Sequence, residues 1–175
     1  VVVMCMGLDA TIEGEQGDAG NEFGSGDKRD LQYPSIQRHV LEKVISTGKR
    51  VILVSMTGSA MDMRYADENC SAIVQAWYPG GEGGLAVAEL LFGEYSPSGK
   101  LPVTFYRSTD DLPEFTDYSM KNRTYRYYEG VPMYPFGFGL SYTKFEYEAV
   151  SREELSDCFK IKIRVKNVGG RDGME

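Results

Sequence analysis

Histidine occurs once in the 175 residues, at His39, and tryptophan once, at Trp77. A Ser-His-Asp or Cys-His mechanism would have to use that one imidazole, which lies mid-helix beside a polar stripe rather than at a strand end. A solvated surface role is expected for it. Cysteine is scarce as well: Cys5, Cys70 and Cys158 are odd in number and far apart, which excludes a CxxC pair and a complete disulfide framework. They read as small buried hydrophobes and lean toward a reducing compartment such as the cytoplasm. A lone histidine and scattered cysteines make no zinc or iron ligand cluster, so neither metal nor cofactor is expected. Long hydrophobic runs are missing, since the stretches at 51–54 and 85–92 fall far short of the roughly 18–20 residues that span a bilayer. Positive charge is in deficit, with 19 Lys+Arg against 26 Asp+Glu, a net charge of −7 and a pI near 4.9. Nucleic acid and anionic membrane surfaces are therefore excluded as expected partners. Residues 1–6 read as a strand already under way, without the basic stretch of a signal peptide, and the last strand runs into a Gly-rich stop, so a piece of a longer polypeptide, with any leader upstream of Val1, is expected.

What is present is an alternation. Up to about residue 105, apolar runs that read as buried strands (1–6, 51–56, 71–77 and 101–105) are separated by segments of helical period. Pro34 and Ser35 open a helix whose Ile36, Val40, Leu41, Val44 and Ile45 share one stripe, with Gly48 as its stop. A short helix is expected at 61–69 and a mostly buried one at 85–92, closed by Gly93. This order predicts an α/β fold, a three-layer sandwich with a mainly parallel sheet. From residue 106 to 140 tyrosine and proline take over, which reads as a long connection packed by its own rings. The period-two patterns at 145–150 and 161–165 then open an antiparallel β-sandwich of which only about 30 residues are present, where such a domain takes about 100.

Two Gly-rich stretches invite a nucleotide reading. Gly81-Glu-Gly83-Gly-Leu-Ala86 formally fits G-x-G-x-x-A, but it follows the third strand and no acidic residue sits about 20 positions on for a ribose hydroxyl. Gly93-Glu-Tyr-Ser-Pro-Ser-Gly99-Lys100-Leu101 is one residue too long for a Walker A loop and carries Leu in place of the magnesium-binding hydroxyl. The stronger candidate is the acidic connection after the first strand, where Asp9, Glu13, Glu15, Asp18, Glu22 and Asp27 crowd at the carboxyl end of a parallel strand. Like charges held close resist joint ionisation, so one of these carboxyls is expected to have a raised pKa and act as a proton donor. A solvated acidic loop or a calcium site built from carboxylates is open on the same residues, although their spacing does not fit an EF-hand.

Gly7-Leu-Asp-Ala-Thr-Ile-Glu-Gly-Glu15, Asp27-Lys-Arg-Asp-Leu-Gln-Tyr-Pro34 with Gln37, and Ala76-Trp-Tyr-Pro-Gly-Gly-Glu-Gly-Gly84 resemble the second domain of family 3 glycoside hydrolases. So do Pro97-Ser-Gly-Lys-Leu-Pro-Val-Thr-Phe105 and Tyr134-Pro-Phe-Gly-Phe-Gly-Leu-Ser-Tyr142. The resemblance implies an α/β sandwich domain at residues 1–143, its aromatic connection starting at about 106, and the start of a fibronectin type III-like domain at 144–175. It implies a retaining, exo-acting β-glucosidase or β-xylosidase that acts on oligosaccharides or glycosides. Its Asp nucleophile would lie in a barrel domain of the same full-length enzyme, outside this chain, so the chain alone would be inactive. Glu13 is chosen as the general acid/base because it follows soon after the strand-ending glycine; Glu22, nearest upstream of Asp27, is the second choice and Glu15 the third. Glu82 is expected to be structural. The alternative from another class is a noncatalytic carbohydrate-binding or interaction module on the same fold.

Overall fold

A computed structural model describes residues 1–13, 20–21, 24–25 and 28–175. The chain divides into two compact units, Val1–Gly84 with Leu101–Gly137, and Leu85–Lys100 with Phe138–Glu175.

The first unit is built on a parallel sheet. Strands β1 (Val2–Gly7), β4 (Val51–Met56) and β5 (Ala72–Gln75) lie in the order β1-β4-β5, with Val2 opposite Val51 and Ile52 opposite Ala72. The central strand is the buried run that the sequence predicts: Val51, Leu53, Val54 and Ser55 are all closed off from solvent. Strand β1 instead alternates, with Met6 in the core and Val3 and Cys5 exposed on the opposite face. That alternation corrects the expectation of buried cysteines: Cys5 and Cys158 are exposed and Cys70 is half-buried, all three as free thiols. A two-residue ladder, β2 (Gly20–Asn21) with β3 (Gly24–Ser25), lies in the connection after β1.

Helix α1 (Ser35–Ser46) follows that connection. Leu41 is buried and Val44 and Ile45 pack on the core, whereas Ile36 and Val40 at the start of the expected stripe are exposed. The amides of Thr47 and Gly48 close the helix on the carbonyls of Val44 and Ile45, and Gly48 takes the left-handed φ of 71° that ends it. Helix α2 is shorter than predicted, Arg64–Asn69, because Met61 and Met63 are fully buried core residues and the Asp62 carboxylate accepts the Arg64 amide at 3.0 Å, which starts the helix there. No strand forms at 101–105. Phe105 makes a single antiparallel bridge to Tyr134, and its buried ring meets Trp77 edge-on at 6.2 Å. The connection beyond is packed by its own rings, as expected: Tyr106 meets Tyr128 at 4.9 Å and Tyr125 stacks on Phe136 at 4.3 Å, around a 3-10 turn at Thr109–Asp111 and the single turn α4 (Thr124–Tyr127).

The second unit holds most of helix α3 (Gly83–Phe92) and the antiparallel pair β6 (Phe145–Glu154) and β7 (Phe159–Asn167), whose register shifts between Ala149 and Ser151. Helix α3 is not mostly buried: Leu85 and Phe92 stand in solvent, because apolar residues run all round it and only one side of a helix can face one neighbour. Within this unit the Tyr142 hydroxyl donates to the Leu90 carbonyl at 3.0 Å, and the Lys100 ammonium pairs with Glu175 at 3.1 Å.

Candidate active site

Three loops leave the carboxyl ends of the parallel strands, and their side chains meet at one carboxylate. Strand β1 ends at Gly7, where a Cβ would stand 2.1 Å from the Met56 carbonyl oxygen, so only glycine passes this close to β4. The Gln37 side chain on α1 brackets Gly7, accepting its amide at 3.1 Å and donating to its carbonyl at 2.8 Å, which satisfies both backbone groups as the ladder stops. The chain then turns around Asp9. Its carboxylate accepts the Thr11 amide at 2.8 Å and the Thr11 hydroxyl at 2.5 Å, while its carbonyl accepts the amides of Ile12 and Glu13. This side-chain-closed turn fixes where Glu13 begins.

The Glu13 carboxylate is held at both oxygens. Oε1 accepts a short hydrogen bond from the Ser59 hydroxyl and faces the Lys28 ammonium at 3.5 Å. Oε2 accepts from the Tyr78 hydroxyl at 2.8 Å. Ser59 follows β4 and Tyr78 follows β5, so each of the three parallel strands contributes one member. Lys28 also donates to Ser59 Oγ at 3.0 Å and touches Met61 Sδ at 3.1 Å, and Thr57, fully buried, fastens the Ser59 carbonyl at 2.9 Å. Gly58 is required by the packing: a Cβ there would lie 2.7 Å from the Tyr78 ring and 3.4 Å from Glu13 Oε2. Tyr78 is aimed by a strained neighbour, since Trp77 has a φ of 55°, a left-handed conformation that bulky side chains avoid.

Partial burial pushes the Glu13 carboxyl upward, but the Ser59 and Tyr78 hydrogen bonds, the Lys28 charge and the Gly58 amide outweigh it and hold the group below its ordinary value. At Glu13 this is opposite to the direction expected from a crowd of carboxylates, because the partners of Glu13 among the described residues are donors. Burial lowers the Lys28 ammonium, and the nearby Glu13 and Asp30 carboxylates offset only part of that effect. Burial and the Glu13 hydrogen bond raise the Tyr78 phenol.

Of the acidic residues singled out in the sequence, Asp9 forms the turn and Glu13 is the convergence point. Glu15, Asp18, Glu22 and Asp27 lie outside the described residues. Glu82 and His39 are exposed. Sequence reasoning gave no role to Lys28, Ser59 or Tyr78. The available signal was positional, because Ser59 and Tyr78 follow the ends of predicted parallel strands, where such sheets place their ligand crevice. Among the described residues no group of three or more His, Cys, Asp or Glu is placed to hold a metal ion, and no helix is long and apolar enough to cross a membrane.

The site is thus a part-buried carboxylate at the carboxyl edge of a parallel α/β sheet, held by hydroxyls from the loops after β4 and β5. Residues 1–142 match the glycosyl hydrolase family 3 C-terminal domain, and the chain belongs to that family. It is 46% identical to a xylan 1,4-beta-xylosidase of Xylanibacter ruminicola over 99% of its own length and 20% of that protein's. It is 34% identical to a periplasmic beta-glucosidase of Salmonella typhimurium over 93% of its length and 23% of that protein's. The solved structure of a β-glucosidase from Erythrobacter marinus superposes with a TM-score of 0.78 at 36% identity, covering 98% of this chain and 23% of that one. The chain thus spans about one fifth of the length of the curated relatives it matches.

Proposed function

We propose that this chain supplies the general acid/base, Glu13, to a retaining, exo-acting β-glycosidase of the β-glucosidase or β-xylosidase type. The observation that supports it is a part-buried carboxylate from the loop after β1, fixed by one hydroxyl from each of the loops after β4 and β5. The Asp nucleophile is assigned to a barrel domain outside these residues, and residues 144–175 to the start of a fibronectin type III-like domain that follows the sandwich domain of residues 1–143.

In the first half-reaction the nucleophile carboxylate attacks the anomeric carbon. The glycosidic C–O bond breaks as the Glu13 proton passes to the leaving oxygen, which requires the two carboxyls to be about 5–5.5 Å apart. In the second half-reaction Glu13, now a carboxylate, takes a proton from water as the water oxygen attacks the same carbon and frees the nucleophile. The donors around Glu13 favour the carboxylate and so suit this second step. The acid step needs a higher pKa, and the negative nucleophile together with water exclusion by a bound sugar raises it.

The test is Glu13→Gln in the full-length polypeptide. Turnover of glycosides with poor leaving groups should fall by about 10²–10⁴-fold, and azide should restore turnover of activated aryl glycosides by replacing the water that needs a base. An unchanged rate and pH profile would overturn the assignment. The 175-residue chain by itself should show no turnover.

A further inference from the structure

The two oxygens of Glu13 are held unequally. Oε1 is gripped by Ser59 and Lys28, whose side chain is only 12% exposed and is tethered in addition to Ser59 Oγ and Met61 Sδ. Oε2 has one side-chain partner among the described residues, the hydroxyl of Tyr78, a residue that is 55% exposed. We propose that Lys28 is a positioning residue for Glu13, acting with Ser59 to lock Oε1 so that Oε2 is the oxygen that gives and takes the proton. The inference rests on the acid/base reading of Glu13.

The chemistry follows from the contacts. Ser59 Oγ receives a hydrogen bond from the ammonium and passes its own proton toward Oε1, so Lys28 polarises the serine toward the carboxylate. A proton on Oε1 would compete with that donor and face a positive charge at 3.5 Å. A proton on Oε2 has only the phenol to contend with, and an exposed tyrosine can rotate from donor to acceptor. Among the described residues, the other charged groups that act on the trio are Asp30 on Lys28 and Asp9 on Tyr78, and neither touches Oε1. The ammonium also opposes protonation of Glu13 as a whole, so its removal should raise the pKa of the acid.

Lys28→Met, Lys28→Arg, Ser59→Ala and Glu13→Gln would be compared in the full-length polypeptide by the pH dependence of kcat/KM on alkyl and nitrophenyl glucosides and xylosides. In Lys28→Met the basic limb, which reports the free enzyme's acid, should move up by roughly 0.5–1 pH unit, at the low end of the effect of a neighbouring charge because the site is part-exposed. Turnover of the alkyl glycoside should fall about tenfold or more, while that of the nitrophenyl glycoside, which needs little protonation, should fall less than about threefold. Lys28→Arg should restore the limb, and Ser59→Ala should reproduce the leaving-group dependence with a smaller shift. An unmoved basic limb in Lys28→Met, or equal losses on both leaving groups, overturns the proposal, provided that Glu13→Gln abolishes the limb. Should Lys28→Met fail to fold, a Ser59→Ala enzyme with wild-type leaving-group dependence overturns it. A wild-type profile in Glu13→Gln overturns the acid/base reading itself.

Discussion

The parallel sheet and the β6–β7 hairpin are both assembled from alternating or apolar strands paired along most of their length, yet among the described residues only the sheet has a buried core. In β4 four of six residues are buried, while every residue of β7 is exposed and β6 keeps only Phe145 partly covered. The hairpin's Tyr147, Ile161, Ile163 and Val165 are as apolar as the residues of a core strand. Backbone pairing therefore fixes register without supplying burial, and most of a strand's stability comes from whatever covers its apolar face. A side-chain pattern reports which face seeks a cover and not whether this chain provides one.

That contrast can be broken in the 175-residue chain by paired substitutions. Leu53→Ala, at a fully buried position, should cost about 2–5 kcal/mol in denaturant unfolding. Ile163→Ala, at a position 60% exposed, should stay within about 0.5 kcal/mol. If residues 144–175 open a β-sandwich, as proposed, the second value should rise well above that in a longer polypeptide that supplies the rest of it. Equal costs in the short chain would mean that the hairpin is covered after all.

A second difference lies in alkaline stability. Burial pushes the Tyr33 phenol up to about 12, partly offset by its 2.7 Å hydrogen bond to Ser55. A folded pKa above the unfolded value of about 10 gives a contribution that is intact below pH 10 and lost as pH climbs toward 12. On the order of 2–3 kcal/mol should disappear across that window, and the difference between wild type and Tyr33→Phe, measured by urea melts from pH 9 to 12, isolates it. A smaller effect than that of Tyr33 belongs to the hairpin's Arg164–Glu148 pair, bonded at 2.7 Å on directly opposed residues but largely exposed. A double-mutant cycle should return no more than about 1 kcal/mol and should shrink with salt.

Much of the fold was legible in the sequence because its signals are local. The Val51 to Met56 run, the helix that starts at Ser35 and the glycine stop at Gly48 each follow from period or backbone freedom, and each is found within a residue or two of the expected place. What failed depended on partners distant in sequence. The run at 101–105 looks like a strand, but Phe105 spends its side chain on the Trp77 ring and its backbone on Tyr134, so no neighbouring strand joins it. The apolar sequence of α3 reads as buried although one side of it meets solvent. At the site, Glu13 could be nominated from its place after a strand-ending glycine. Its donors come from residues 15, 46 and 65 positions away, a distance at which no spacing rule operates.

The strained backbone of Trp77 has a practical consequence. Its indole is wedged against Phe105 in the core while the next residue reaches out to Glu13, and it is the only tryptophan in the chain. Its emission is thus a built-in optical gauge for the loop that carries Tyr78, reporting on that segment without any attached dye.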